Sequence, residues 1–149
     1  MPTIYTYRTT ARWTEQKRGI VEVEGIPRTI NFAAPPEFGG EPGLWSPELL
    51  LLAAVSTCFV ATLRAVAENS KLTFSSLELA AEGTIEKEEG GFRFTRIALR
   101  PVVAIEKENE RERLRRLLEK AERVCLVSRS LSCATILEPK ILVQEHEAA

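Results

Sequence analysis

The stretch from Leu49 to Leu63 most constrains what this chain can fold into: it is apolar on nearly every helical face, relieved only by Ser56, Thr57, Cys58 and Thr62. Its start is well marked. Ser46 can cap a helix, Pro47 suits the first helical position, and Glu48 sits where the positive end of the helix dipole favours an acid. A helix is therefore expected from Pro47 to about Asn69. The apolar run is shorter than the roughly 20 residues needed to span a bilayer. It reads as a buried helix that other elements must cover, and no membrane association is expected.

The flanking sequence can supply that cover. The chain has 149 residues, 44% of them hydrophobic, enough for one domain over 1–149 that buries roughly 70% of its unfolded surface without disulfide or metal support. Residues 4–14 alternate β-branched and aromatic types, Lys17-Arg18-Gly19 reads as a turn, and short strands are expected at Ile20–Glu24 and Arg28–Phe32. A Pro- and Gly-rich loop through Gly43 leads to the helix. After it come two long strand candidates, Leu72–Lys87 and Gly91–Glu106, joined at Glu88-Glu89-Gly90-Gly91 as a hairpin. Leu114, Leu117, Leu118, Ala121, Val124 and Cys125 recur at spacings of three and four, the pattern of an amphipathic helix. A final strand is expected over Ile136–Val143, broken by Pro139. This order of elements is that of an α+β protein.

Several kinds of chemistry are disfavoured. A net charge of −1 and interleaved signs offer no field for a phosphate backbone, so nucleic acid is not an expected partner. The N-terminus lacks the apolar stretch of a secretory signal, and a cytoplasmic location is expected. The single histidine, His146, lies near the C-terminus and is expected to fray, leaving neither a base for a Cys-His or Ser-His-Asp pair nor a ligand to complete a zinc site. No glycine-rich phosphate cradle follows a strand, and no cofactor is expected. Three cysteines in a reducing compartment do not make a disulfide framework. Thiol chemistry remains. Cys58 falls near the middle of the apolar helix and Cys125 at the end of the amphipathic one; taken singly, each reads equally well as a small buried hydrophobe.

The segments around these cysteines resemble a known family. Phe38-Gly39-Gly40, then Ser46-Pro47-Glu48-Leu49-Leu50-Leu51-Leu52-Ala53-Ala54, then Ser56-Thr57-Cys58-Phe59 is similar to the pattern of the OsmC/Ohr thiol-dependent organic hydroperoxide reductases. Ala121-Glu122-Arg123-Val124-Cys125-Leu126-Val127-Ser128 resembles that family's second cysteine segment, although the family often has proline where this chain has Leu126. The resemblance implies an intertwined homodimer of α+β architecture, with strongly curved antiparallel sheets wrapped around central helices. It makes Cys58 the peroxidatic and Cys125 the resolving cysteine. It also implies an N-terminal arginine that stabilises the thiolate, held by the glutamate of the Pro-Glu motif, here Glu48. Arg18 is the candidate for that arginine and Arg28 competes with it. Cys133 has no counterpart and reads as structural.

The implied mechanism makes physical demands. A thiol with pKa about 8.5 is mostly protonated near neutrality and burial raises it further, so Cys58 needs a cation, an arginine reaching in from outside its own helix. Ten residues separate Glu48 from Cys58, about 15 Å along a straight helix, too far to share one compact site. An antiparallel helix from a second subunit could bring Glu48 of one chain towards Cys58 of the other. Oxidised Cys58 would pair with Cys125 in a disulfide, and an external dithiol, in the family typically a lipoylated protein, would reduce it. An apolar lining around Phe38, Leu51 and Phe59 would favour alkyl or fatty-acid hydroperoxides, at about 0.8 kcal/mol per buried methylene. The competing reading is a dimeric module that binds apolar ligands, with weak or no peroxidase activity.

Overall fold

The computed structural model describes residues 2–144; His146 lies outside the described residues. The chain divides into two compact units, with the boundary between Leu51 and Leu52.

The first unit is built on an antiparallel meander of β1 (Thr10–Glu15), β2 (Arg18–Val23) and β3 (Ile26–Ala33), in that order across the sheet. Gln16 at φ 48° and Gly25 at φ 88° make the two tight reversals. The first strand begins at Thr10, later than the alternation from Ile4 predicts. Tyr5 and Tyr7 carry the right residue types but lie exposed outside any strand, because alternation makes a strand only where a neighbour supplies backbone partners. Glycine is required at position 19, where a Cβ would stand 2.4 Å from the Arg12 carbonyl oxygen. After β3, a single turn over Pro36–Phe38 ends at Gly39 in the left-handed region, and Gly40 presses so closely on Ala34 that a Cβ would come within 1.6 Å of its carbonyl oxygen. The Ala33 N–H then bonds the Trp45 carbonyl at 2.8 Å, which fixes where the next element starts.

That element is α1 (Pro47–Asn69). Ser46 caps it as its sequence predicts: the side chain is buried and its hydroxyl oxygen accepts the Leu49 N–H at 3.2 Å.

The second unit contains the rest of α1, a long hairpin of β4 (Ser76–Glu88) and β5 (Gly91–Ile105), the helix α2 (Arg111–Val124), the single-turn helix α3 (Leu126–Arg129), and the short strands β6 (Ala134–Leu137) and β7 (Lys140–Val143). Glu89-Gly90 forms the two-residue hairpin connection, with Glu88 paired to Gly91. Within this unit α1 buries one stripe, Val55, Phe59, Leu63, Val66 and Ala67, against Ile97, Leu99, Val103 and Ile105 of β5 and Leu114, Leu118 and Ala121 of α2. This departs from the expected burial on all faces. A single chain covers one side of the helix, and Ala61 and Ala65 on the other side are exposed. Gly83 of β4 permits close packing beneath the helix, since a Cβ there would lie 2.6 Å from the Phe94 ring and 2.9 Å from Leu52.

The expected final strand is two strands. Both β6 and β7 pair in parallel with the same edge of β5, β6 along Arg96–Leu99 and β7 along Val102–Ile105. The gap between them falls at Glu138-Pro139, opposite Arg100-Pro101. Leu99 accepts the Glu138 N–H at 2.9 Å and Ile105 accepts the Gln144 N–H at 2.8 Å. The period of two in a strand points the nitrogen of Pro101 to this same side, into the gap where no donor is needed.

Candidate active site

Each unit holds two of the four residues singled out in the sequence. In the first, Arg18 begins β2 and its guanidinium is taken by carboxylates of its own unit. Arg18 Nε donates to Glu41 Oε2 at 3.0 Å, its terminal nitrogen makes a second bond to the same oxygen, and Glu15 lies 4.0 Å away. The hydrogen bond and charge of Glu41 raise the arginine above its ordinary value, so it is a cation at any working pH. The neighbouring Lys17 Nζ donates to the Gly39 carbonyl at 3.1 Å. Arg18, Glu41, Lys17 and Gly39, with Gln16 and Gly40, line an open notch of about 470 Å³. Glu48 is half-buried in the first turn of α1, and its Oε1 is buried without a hydrogen-bond partner. Arg18 and Glu48 are therefore not paired with each other in the single chain. Arg28 is exposed on β3.

In the second unit Cys58 and Cys125 come together. Cys58 lies half-buried in the middle of α1; Cys125 is fully buried where α2 stops. The stop is a backbone event: Cys125 leaves the helical region at φ −61°, ψ 114°, and the next residues start α3. This break turns the first amides of α3 towards sulfur. Burial works against ionising Cys58, but the neutral donor groups around it, the Val127 amide, the Cys125 thiol, the Thr62 hydroxyl and the Leu126 amide, together outweigh burial and hold it below the ordinary thiol value. Thr62 Oγ1 stands 3.9 Å from Cys58 Sγ. Cys125 moves the other way. Burial raises it, its bond to Cys58 and that sulfur's charge raise it further, and the hydroxyl and N–H of Ser128 only partly offset this. The Ser128 hydroxyl is 3.5 Å from Cys125 Sγ.

Cys58 is thus the more acidic thiol of the pair and Cys125 the less acidic, the sense in which a nucleophilic and a resolving thiol differ. The cation expected from the sequence is not among the groups that lower Cys58; neutral N–H and O–H donors do so. Sequence reasoning did not single out Thr62, Leu126, Val127 or Ser128. Thr62 was accessible in principle, lying four residues from Cys58 on one helical face. The amides of Leu126 and Val127 carry no side-chain signal. Cys133 packs at the margin of the hydrophobic core. Among the described residues, no group of three or more His, Cys, Asp or Glu side chains is disposed to hold a metal ion.

The family model for OsmC-like proteins matches residues 40–140, including Glu48 and both coupled cysteines. The chain belongs to the OsmC family. An OsmC-like protein of unknown function from Vibrio cholerae has the same α+β fold, with a TM-score of 0.83 at 18% identity over 91% of this chain and 99% of that one. An organic hydroperoxide resistance protein OsmC from Legionella pneumophila is 27% identical over 95% of this chain and 100% of its own, with a TM-score of 0.75. The uncharacterized protein YmaD of Bacillus subtilis is 27% identical over 124 residues, 81% of this chain and 83% of that protein. This OsmC-family chain thus has relatives named for hydroperoxide resistance and others with no stated role.

Proposed function

We propose that the chain is a thiol-dependent peroxidase that reduces organic hydroperoxides to alcohols. The observation that carries this reading is the coupled pair itself: two adjacent thiols whose proton affinities are driven apart, the lower one on the accessible sulfur. In the first step the Cys58 thiolate attacks the outer oxygen of the peroxide. The O–O bond breaks, the alkoxide leaves and takes a proton to become the alcohol, and Cys58 becomes a sulfenic acid. Cys125 then displaces hydroxide from that sulfur, giving the disulfide and water. An external dithiol, with a lipoylated protein as the favoured class, restores both thiols by exchange.

The working unit in this proposal is a homodimer. The orphaned Oε1 of Glu48 and the uncovered side of α1 support it, since a buried carboxylate oxygen without a donor is costly and a second copy can supply both a donor and apolar cover. Arg18 is proposed to leave Glu41 and stabilise the departing alkoxide.

The test counts thiols after reduced protein meets one equivalent of tert-butyl hydroperoxide. Two thiols per chain should disappear within seconds. Cys58→Ser should abolish the loss, and Cys125→Ser should leave Cys58 as a sulfenic acid, which a second equivalent of peroxide carries on to the sulfinic acid. A thiol count that stays constant in the wild-type protein sinks the proposal. The pairing of Arg18 with Glu41 favours a second reading, a binding module for apolar ligands without turnover. On that reading a long-chain alcohol binds as tightly as its hydroperoxide and neither cysteine is consumed.

A further inference from the structure

The mechanism above leaves Ser128 unused, yet its hydroxyl, like that of Thr62 beside Cys58, meets a sulfur rather than a backbone carbonyl. Ser56, Thr57 and Ser130 bond back to carbonyls three or four residues earlier: Ser56 to Leu52 at 2.9 Å, Thr57 to Ala53 at 2.7 Å, Ser130 to Leu126 at 2.9 Å. That is the common habit of Ser and Thr inside a helix. Ser128 instead donates to Cys125 Sγ at 3.5 Å. The backbone around it is arranged to the same end. The first bond inside α3 runs from the Arg129 N–H to the Cys125 carbonyl at 3.0 Å, so the amides of Leu126, Val127 and Ser128 are not used by the helix. The free amides of Leu126 and Val127 favour the charged form of Cys58 and that of Ser128 the charged form of Cys125, and the Ser128 hydroxyl stands within hydrogen-bond distance of the Cys125 sulfur.

We propose that Ser128 is a positioning residue for the second chemical step, holding the Cys125 sulfur and stabilising the charge it gains as it attacks oxidised Cys58. The inference rests on the peroxidase reading and names a residue that serves it. In that step the sulfur of Cys125 forms the S–S bond, the S–O bond of the Cys58 sulfenic acid breaks, and the Cys125 proton passes to the departing hydroxide to give water. No outside oxidant, reductant or base is required. Negative charge builds on Cys125 Sγ as its proton leaves, and a hydroxyl already aimed at that atom opposes the cost of building it in a buried place. The first step places its charge elsewhere, on Cys58 and the alkoxide, so Ser128 should matter much less to it.

The test uses full-length protein carrying Cys133→Ser, so that two thiols remain. After mixing with one equivalent of tert-butyl hydroperoxide, sulfenic acid is trapped with dimedone and disulfide is measured in parallel by acid quench and mass. Ser128→Ala should slow disulfide formation about tenfold more than it slows sulfenate formation, and move the pH midpoint of the second step upward by about one unit. Ser128→Thr, which keeps the hydroxyl, should restore most of the rate. Equal slowing of both steps, or an unmoved pH profile, overturns the proposal. A wild-type protein that forms no sulfenate at all sinks the peroxidase reading instead, and Ser128 is then judged by a second measurement. In Cys58→Ser/Cys133→Ser protein, thiolate absorbance at 240 nm reports Cys125 alone. Adding Ser128→Ala should raise its midpoint, and an unchanged midpoint shows that the hydroxyl does nothing for that sulfur.

Discussion

At the scale of single residues, the proton affinities of the two sulfurs set what pH does to the chemistry. Because donors hold Cys58 below the ordinary thiol value, its thiolate persists to lower pH than that of free cysteine. The rate of its reaction with peroxide or with iodoacetamide should fall only as pH drops through that lowered midpoint. A rate that keeps rising up to the range of free cysteine would mean the donors are ineffective. Leu126 allows a sharper test. It is exposed, it opens α3, and the extended ψ of Cys125 before it is compatible with proline. Leu126→Pro, the residue common in the family, should leave the fold intact while removing one amide that favours the Cys58 thiolate, slowing alkylation of that thiol near neutral pH by up to about tenfold. Sequence reasoning found both sulfurs through resemblance but looked for a guanidinium, because only side chains announce themselves in a sequence. Two of the four donor groups that act on Cys58 are main-chain amides, exposed by a change of ψ at one residue. The partner of Arg18, Glu41, lies 23 positions away across a loop whose path no local pattern reveals.

At the scale of elements, α1 and the long hairpin were legible because their signals are local and reinforce one another: a cap followed by proline and an acid, then alternation around a glycine pair. The cap should be measurable. Ser46→Ala removes a buried acceptor for the Leu49 N–H and should cost about 1 kcal/mol in chemical denaturation. Gly83 was silent in the sequence, a small residue within a strand pattern. The structure gives it a role, and Gly83→Ala should destabilise by about 1–3 kcal/mol as Phe94 and Leu52 are pushed aside. Phe59→Ala, in the fully buried stripe of α1, should cost about 3–5 kcal/mol. A loss within error at Phe59 would contradict its burial. The break at Pro139 lies where its ring announces it, whereas the boundary that shifted, at Thr10, is one where a neighbouring strand decides whether backbone groups find partners.

At the scale of the whole molecule, the α+β class and the family followed from the sequence, whereas the burial of α1 on one side only did not. A helix apolar on all faces announces that it will be covered without saying by which chain. The dimer proposal makes this measurable: sedimentation should give twice the chain mass at micromolar concentration, and Leu49→Arg, at a half-exposed position near the start of α1, should shift the equilibrium to monomer and lower peroxide turnover with it. A monomeric wild-type protein with undiminished turnover would remove the case for a shared site. The seam along β5 carries a consequence of its own. With Pro101 facing the interruption at Pro139, sliding the terminal segment by one pleat in either direction would set an imide nitrogen against a carbonyl that must have a donor. The Pro101 ring therefore acts as a pawl, weighting the docking of the last stretch of chain towards the alignment that keeps its nitrogen at the interruption.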